Sequence, residues 1–202
     1  MASFEEQQKN QENRSYSFRN IAINIVAYLH DLSYLVAAMM ILFLVFFRVV
    51  VVSGPSMNNT LINGDYLLLV SSTLYSEPKQ GDIIVASKDS FKDGIPIVKR
   101  VIATEGQTVD IIDGVVYVDG IALDEPYAMG ITRQNGGTVF PLTVEEGFIF
   151  VMGDNREVSM DSRNPLVGLL DRREILGKAF FLFLPGENYA NIRDFTRIGG
   201  LH

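Results

Sequence analysis

Polar and apolar positions divide this chain into three unequal parts. Residues 1–20 are polar almost throughout, residues 21–31 are mixed, and Leu32 to Phe47 is apolar apart from Ser33 and Tyr34. Arg48 follows, and then four valines, Val49 to Val52. The polar start predicts a disordered tail, and the tail is drawn over residues 1–31. The apolar run predicts a membrane-crossing helix, with the anchor drawn over residues 32–52. From Leu32 to Phe47 a helix covers about 24 Å, short of a hydrocarbon core of about 30 Å. Arg48 can snorkel, and the valines either extend the span or begin the first strand. A buried core helix is the alternative, but no second helix of matching character exists to receive it. A cleaved leader fits less well than a retained anchor, because no small-x-small site closes the run.

Beyond residue 64 the period changes to that of strands. Asp65 to Val70 reads as a strand after the Asn63-Gly64 turn, and Ile83 to Ala86 as a second after Gly81-Asp82. Residues 87–94 form a polar loop, and Ile95 to Ala103 is a buried strand. Thr108 to Ile112 and Val115 to Val118 flank an Asp113-Gly114 turn and make a hairpin. Residues 121–147 are irregular and polar, with a turn at Asn135-Gly136-Gly137. Phe148 to Met152 and Ala179 to Leu184 supply the last strong strands, and the tail from Gly186 to His202 is expected to fray. The pattern predicts a mainly β, partly closed barrel-like domain over residues 53–202, with an inserted region at about 106–146.

Composition narrows the function. A net charge of −7 with no basic run argues against a nucleic-acid binder. Cysteine is absent, so disulfides, thiolate metal sites and a cysteine nucleophile are excluded. His30 and His202 are the two histidines; they lie far apart, and no phosphate-loop fingerprint is present, so no metal or cofactor is expected. Neither histidine is well placed to activate a serine, which makes a Ser-His-Asp triad unattractive.

Two residues remain as candidate chemistry. Ser56 follows directly on Gly54-Pro55, a pair able to aim a hydroxyl in a fixed direction. A serine needs a neighbouring base. Of six lysines, Lys99 alone sits inside a strand, sharing a face with Ile95, Ile97, Val101 and Ala103. An ammonium there is costly, its pKa is expected to fall, and a neutral amine is a usable general base. The plainer reading is a turn serine and a lysine snorkelling from a sheet edge. A third stretch, Gly153-Asp154-Asn155-Arg156-Glu157-Val158-Ser159-Met160-Asp161-Ser162-Arg163, shifts the balance.

Together the three stretches resemble the bacterial type I signal peptidases, the Ser-Lys membrane proteases that remove signal peptides. The family's serine box matches Ser56-Met57-Asn58-Asn59-Thr60-Leu61, its lysine box matches Lys99 to Ile102, and its Gly-Asp-Asn-Arg-x-x-Ser-x-Asp-Ser-Arg box matches Gly153 to Arg163. The order is the family's, beyond an apolar anchor, and the likeness covers about residues 32–185. Two departures stand out. Asn59 replaces the usual proline, which is expected to loosen the turn after the nucleophile. Gly54 stands where some members carry a serine that helps the oxyanion hole, so backbone N–H groups are left to supply that help.

The resemblance implies a signal-peptidase-like Ser-Lys β-fold, with Ser56 as nucleophile, Lys99 as neutral base and the Ser159 hydroxyl orienting Lys99. Arg100, Asp154, Asp161 and Arg163 read as ion pairs holding the box against the lysine strand. A carboxylate dyad of Asp154 and Asp161 is disfavoured, because the arginines would keep both acids ionised. Val52 and Val98 match positions lining shallow pockets, so cleavage is expected after small residues at −1 and −3 of exported preproteins. The expected partners are signal peptides and the lipid bilayer. Lys9, Arg14 and Arg19 precede the span, whereas the next basic residue after Arg48 is Lys79. The expected topology is single-pass in a bacterial cell membrane, N-terminus cytoplasmic and catalytic domain outside. Two competitors are a self-cleaving repressor-type Ser-Lys protease, which the anchor disfavours, and a non-catalytic anchored β-domain, which Ser56, Lys99 and Ser159 disfavour.

Overall fold

The computed structural model describes residues 2–87, 95–134, 137–188 and 190–201, with side chains from residue 23 onward. The expected loop over 87–94 falls outside them from residue 88, as do Asn135 and Gly136 of the expected turn. The chain divides into a helical unit and a β unit, with the division between Val45 and Phe46.

Helix α1 runs Ala2–Phe46 without a glycine or proline to break it. Its first turns are rich in Glu, Gln and other straight-chain helix formers, so residues 2–31 are helical where disorder was expected. Within it, Ile23–Phe46 is long and apolar enough to cross a membrane. At about 1.5 Å per residue this stretch reaches roughly 36 Å. The apolar part therefore begins nine positions earlier than Leu32, at Ile23.

The valines belong to the β unit. The strands, in chain order, are β1 (Phe47–Val51), β2 (Tyr66–Ser71), β3 (Ile83–Ala86), β4 (Ile97–Thr104), β5 (Thr108–Ile112), β6 (Val115–Val118), β7 (Ile121–Ala122), β8 (Leu142–Thr143), β9 (Phe148–Met152), β10 (Leu170–Asp171), β11 (Ile175–Leu184) and β12 (Gly199–Gly200). β-branched side chains lose freedom in a helix and suit a pleated surface. The register runs from Phe47 opposite Val70 to Val51 opposite Tyr66, so the stretch drawn as anchor over 32–52 is split at Phe46.

The larger sheet has the order β1-β2-β11-β3-β4-β9-β10, with β12 added beside β11, and every pairing is antiparallel. A smaller sheet, β7-β6-β5-β8, occupies the stretch read as an insert. The centre of the large sheet is covered on both faces. Ile83 and Val85 of β3 join one apolar cluster with Val52, Met57, Leu61 and Val98, while Ile84 and Ala86 join another with Val101 and Val151. A third cluster ties Ile102, Phe150 and Met152 to Val109 and Val116 of the small sheet. Strand β4 is thus buried along almost its whole length.

The C-terminal segment is tied down rather than frayed. The carboxylate of Asp65, fully buried, accepts from the Ile62 and Gly186 N–H groups at 2.7 Å each and from Arg197 at 2.9 and 2.7 Å. Arg197 also donates to the Thr60 carbonyl at 3.1 Å, and Leu201 packs on the cluster that holds Met57. Arg197→Ala leaves the Asp65 charge buried without its cation, which typically costs about 3–5 kcal/mol. Thermal melting of the detergent-solubilised protein is expected to show a drop of several degrees for Arg197→Ala. Arg173→Ala, which removes an exposed partner of Asp171, is expected to leave the melting temperature in place. Equal melting temperatures for the two would show that the latch adds no stability.

Candidate active site

Ser56 stands in a tight turn just after β1. Gly54 has φ 94, a left-handed backbone that glycine adopts without strain, and its N–H donates to Asn63 Oδ1 at 3.0 Å. The Asn58 N–H donates to the Pro55 carbonyl at 3.1 Å, and those of Thr60 and Leu61 donate to the Met57 carbonyl at 3.1 and 2.8 Å. Met57 and Leu61 are buried and seat the turn on the core. Asn59 has φ 86. Asparagine tolerates that region, whereas proline is held near −65°. The turn is therefore closed by hydrogen bonds rather than loosened by Asn59, on a backbone that proline could not follow.

Lys99 lies on β4, between β3 and β9, and is 4% exposed. Its Nζ donates to Ser56 Oγ at 2.9 Å and to the Val98 carbonyl at 3.2 Å. Among the described residues no acceptor takes the Ser56 N–H, which leaves it available as a donor. Val52 and Val98 are buried at 3% and 9% exposure and share one cluster with Met57.

The loop after β9 closes on both elements. The Asn155 N–H donates to the Ser56 carbonyl at 3.0 Å, and its side-chain amide donates to the Pro55 carbonyl at 3.2 Å. Asp154 bridges three segments. It accepts Arg100 Nε at 2.9 Å and Nη2 at 2.8 Å from β4, and Thr60 Oγ1 at 2.5 Å from the serine turn. Asp161 pairs with Arg163 at 2.8 Å and accepts the Gly153 N–H at 3.0 Å. All four charged groups expected to form ion pairs are at most 1% exposed.

Ser159 is in the same cluster, 4% exposed, but differs from expectation. Its Oγ has no hydrogen-bond partner among the described residues, so the expected bond to Lys99 is not made. Its own N–H donates to the Asn155 carbonyl at 3.1 Å, and the side chain lies against Gly153, while Lys99 Nζ is directed to Ser56 Oγ and the Val98 carbonyl.

Other contributors have no role among those expected from the sequence. Arg156, 1% exposed, donates to Glu125 at 2.9 and 2.5 Å, to Thr132 Oγ1 at 2.6 Å and to the Gly153 carbonyl at 3.1 Å. Burial works against the Arg156 charge, but the Glu125 hydrogen bonds and charge outweigh it and hold its pKa above the usual value. The Tyr127 ring lies under the Arg100 guanidinium at 3.9 Å, and its hydroxyl donates to Glu125 at 3.0 Å. Burial first, and then the Glu125 charge, push the Tyr127 phenol above its usual pKa. Asn155 and Arg156 stood inside the recognised box, whereas Glu125 and Tyr127 lie in a stretch that reads as irregular. Among the described residues no cluster of His, Cys, Asp and Glu is arranged to hold a metal ion.

Residues 25–184 match the family described as signal peptidase, peptidase S26. Signal peptidase I of Bacillus licheniformis is 38% identical over 147 residues, covering 69% of this chain and 77% of that protein. Signal peptidase I T of Bacillus subtilis strain 168 is 38% identical over 149 residues, covering 69% and 75%. A probable signal peptidase I-1 of Synechocystis is 37% identical over 152 residues, covering 72% and 75%. A crystal structure of a signal peptidase I from Enterococcus faecalis V583 aligns with TM-score 0.41 at 31% identity, over 50% of this chain and 96% of that one.

Gly153 is the position where the loop can least change. A Cβ there would meet the Ser56 carbonyl oxygen and Ser159 Oγ at distances no real Cβ contact shows. Ser159 can turn away, but the Ser56 carbonyl is backbone and must move. Gly153→Ala is therefore expected to cut the turnover of a cleaved preprotein by about 10²-fold, the scale of a 1 Å misplacement. Gly199→Ala, where nothing lies within 4 Å of the new Cβ and the backbone is likewise outside the left-handed region, is the comparison for a glycine away from the serine. Normal turnover by Gly153→Ala would show that the close approach does not set the serine's position.

Proposed function

Because the chain belongs to the signal peptidase family, peptidase S26, and so is a serine endopeptidase acting on the signal peptides of preproteins, we propose that Ser56 is its nucleophile and Lys99 its general base. The observation that carries this reading is the contact of the buried Lys99 Nζ with the half-buried Ser56 Oγ at 2.9 Å. In the reaction, the uncharged amine of Lys99 takes the Ser56 hydroxyl proton as Oγ attacks the scissile carbonyl carbon. The Ser56 N–H receives the developing oxyanion; losing one such donor typically costs about 10²–10³ in rate. Lys99 then gives its proton to the departing amine, which is the new N-terminus of the mature chain. Water, deprotonated by the Lys99 amine, attacks the acyl carbonyl; the ester bond to Oγ breaks, Lys99 returns the proton to Ser56 Oγ, and the signal peptide leaves as a carboxylate. Ser159, with its free buried hydroxyl beside Gly153, is read as the group that steadies Lys99 once substrate is bound.

The uncharged state follows from cost. An ammonium on a strand with both faces covered gives up its hydration, and Arg100 next to it is already matched by Asp154. Val52 and Val98, buried beside the serine turn in the cluster with Met57, are the residues to which we assign the preference for small side chains at −1 and −3. The apolar helix supports membrane anchoring. The distribution of basic residues supports a cytoplasmic N-terminus and an outer catalytic domain, and external protease acting on intact, wall-stripped cells is expected to degrade that domain. Its survival until lysis would reverse the orientation.

Ser56→Ala and Lys99→Ala are each expected to abolish preprotein cleavage while circular dichroism stays unchanged. Lys99→Arg is expected to fail too, because guanidinium keeps its proton. An unperturbed lysine titrates at about 10.4. For the wild type, kcat/KM is expected to rise with pH along a limb well below that value, as the base form appears. Near-normal rates from Lys99→Ala with the same acid limb would make the lysine structural. Efficient cleavage of a preprotein with Phe at −1 would overturn the small-residue specificity.

A further inference from the structure

The inserted region sends one segment back to the catalytic box. Glu125 to Thr132 follows β7 and runs alongside residues 154–156, forming a parallel bridge between Met129 and Asn155. The Met129 N–H donates to the Asp154 carbonyl at 2.7 Å, and the Arg156 N–H donates to the Met129 carbonyl at 2.8 Å. These two bonds clasp the backbone on either side of Asn155. Asn155 in turn holds the carbonyls of Pro55 and Ser56.

Side chains close the clasp from both ends. Glu125 receives two hydrogen bonds from Arg156, a side chain with no exposed surface, and Thr132 takes a third. Arg156 also donates to the Gly153 carbonyl, at the head of the same loop. Tyr127 lies under Arg100, the guanidinium that grips Asp154, and its hydroxyl leans on Glu125. The path from the insert to the nucleophile is therefore unbroken: Glu125 to Arg156 and Gly153, Met129 to Asp154 and Arg156, then Asn155 to Ser56. The strap also approaches the loop closely at Gly130, where a Cβ would meet the Glu157 side chain within 3.0 Å.

We propose that the strap Glu125–Thr132 sets the position of Ser56, with Glu125 and Tyr127 as positioning residues that act through Arg156 and Arg100. The strap is then part of the catalytic scaffold, although it brings no group to the reacting atoms, whereas the sheet of the insert serves stability. The inference rests on the assignment of Ser56 as nucleophile. A strap that misplaces the turn by a fraction of an ångström changes attack more than binding, because the peptide is still gripped along its length. The expected signature is a fall in kcat with KM preserved. The acid limb of kcat/KM should stay where it is, since Lys99 keeps its strand and its neighbours.

The test uses the full chain in detergent and a cleavable preprotein, with kcat, KM and melting temperature measured for each variant. Glu125→Gln keeps the shape and removes the charge; kcat is expected to fall about 10- to 100-fold with KM within about twofold. Tyr127→Leu, which leaves every ion pair intact, is expected to lose about 5- to 30-fold in kcat, the range of a desolvated cation–π contact. Tyr127→Phe keeps the ring and is expected to restore kcat to within about threefold of the wild type. Ile111→Ala, in the core of the insert and off the strap, supplies the comparison: it is expected to lower the melting temperature while kcat holds. Assays run well below the lowest melting temperature separate misplacement from unfolding. If Glu125→Gln does not fold, the pair Tyr127→Leu and Tyr127→Phe decides alone. Wild-type kcat in Tyr127→Leu, or a kcat loss in Ile111→Ala as large as that of the strap variants, overturns the proposal. Ser56→Ala in the same series keeps the two readings apart. Activity surviving in Ser56→Ala overturns the nucleophile assignment, whereas inactive Ser56→Ala beside fully active strap variants overturns the strap alone.

Discussion

The carboxylate of Asp154 is the constraint on which the site depends. It is wholly buried, and it binds Arg100 from strand β4 and Thr60 from the serine turn while belonging to the loop after β9. Three segments distant in sequence meet on one charge. Lys99 is the neighbour of Arg100 on β4, and Ser56 lies in the turn that Thr60 helps to close. Fixing Arg100 and Thr60 on the same carboxylate therefore fixes the separation of the Lys99 amine and the Ser56 hydroxyl. A buried charge missing one partner is costly, so the three segments are not free to part independently.

The sheet sets unequal terms for the two cations side by side on β4. Strands β3 and β4 have apolar clusters on both faces, so a side chain on β4 has little water to reach. Arginine in that setting must be paired, and Arg100 is. Lysine differs from arginine there, because an amine can shed its charge where a guanidinium cannot. The adjacent positions thus divide the work: Arg100 keeps its charge and orders the loop, and Lys99 stands against Ser56.

Local pattern revealed what depends on local pattern. The hairpin at β5 and β6, the strand at β4 and the three motif stretches were legible because each depends on a period or a fixed spacing. The end of the helix was not. Val49 to Val52 are apolar enough for a span and β-branched enough for a strand, and only pairing with β2 decides between them. The C-terminal segment reads as a polar tail, yet Arg197 finds the buried Asp65, a partner 132 positions away in sequence. Glu125 and Tyr127 were hidden for the same reason. The site's ion pairs within the box were readable from acids and bases at short spacing. The partner of Arg156 lies in the insert, and nothing in the sequence announces a pairing across 31 positions.

Arg100, Arg156 and Arg163 are among the largest fully buried side chains in the chain. Filling that space with leucine or methionine could give comparable stability, since a buried ion pair often adds little over good apolar packing. Apolar packing, however, tolerates sliding and repacking at small cost. Guanidinium groups do not: each donates in one plane, in fixed directions, to carboxylate or carbonyl oxygens of the loop. Arg156 reaches the Gly153 carbonyl, Arg163 reaches the Arg156 carbonyl, and Arg100 reaches Asp154 and the Gly81 carbonyl. The loop is thereby held through its own backbone at successive points. A serine that must meet an amine at hydrogen-bond distance needs that directional restraint. The free hydroxyl of Ser159 shows the same economy of position, since the hydrogen bonds that fix its backbone leave its Oγ buried between Gly153 and the site without a partner of its own.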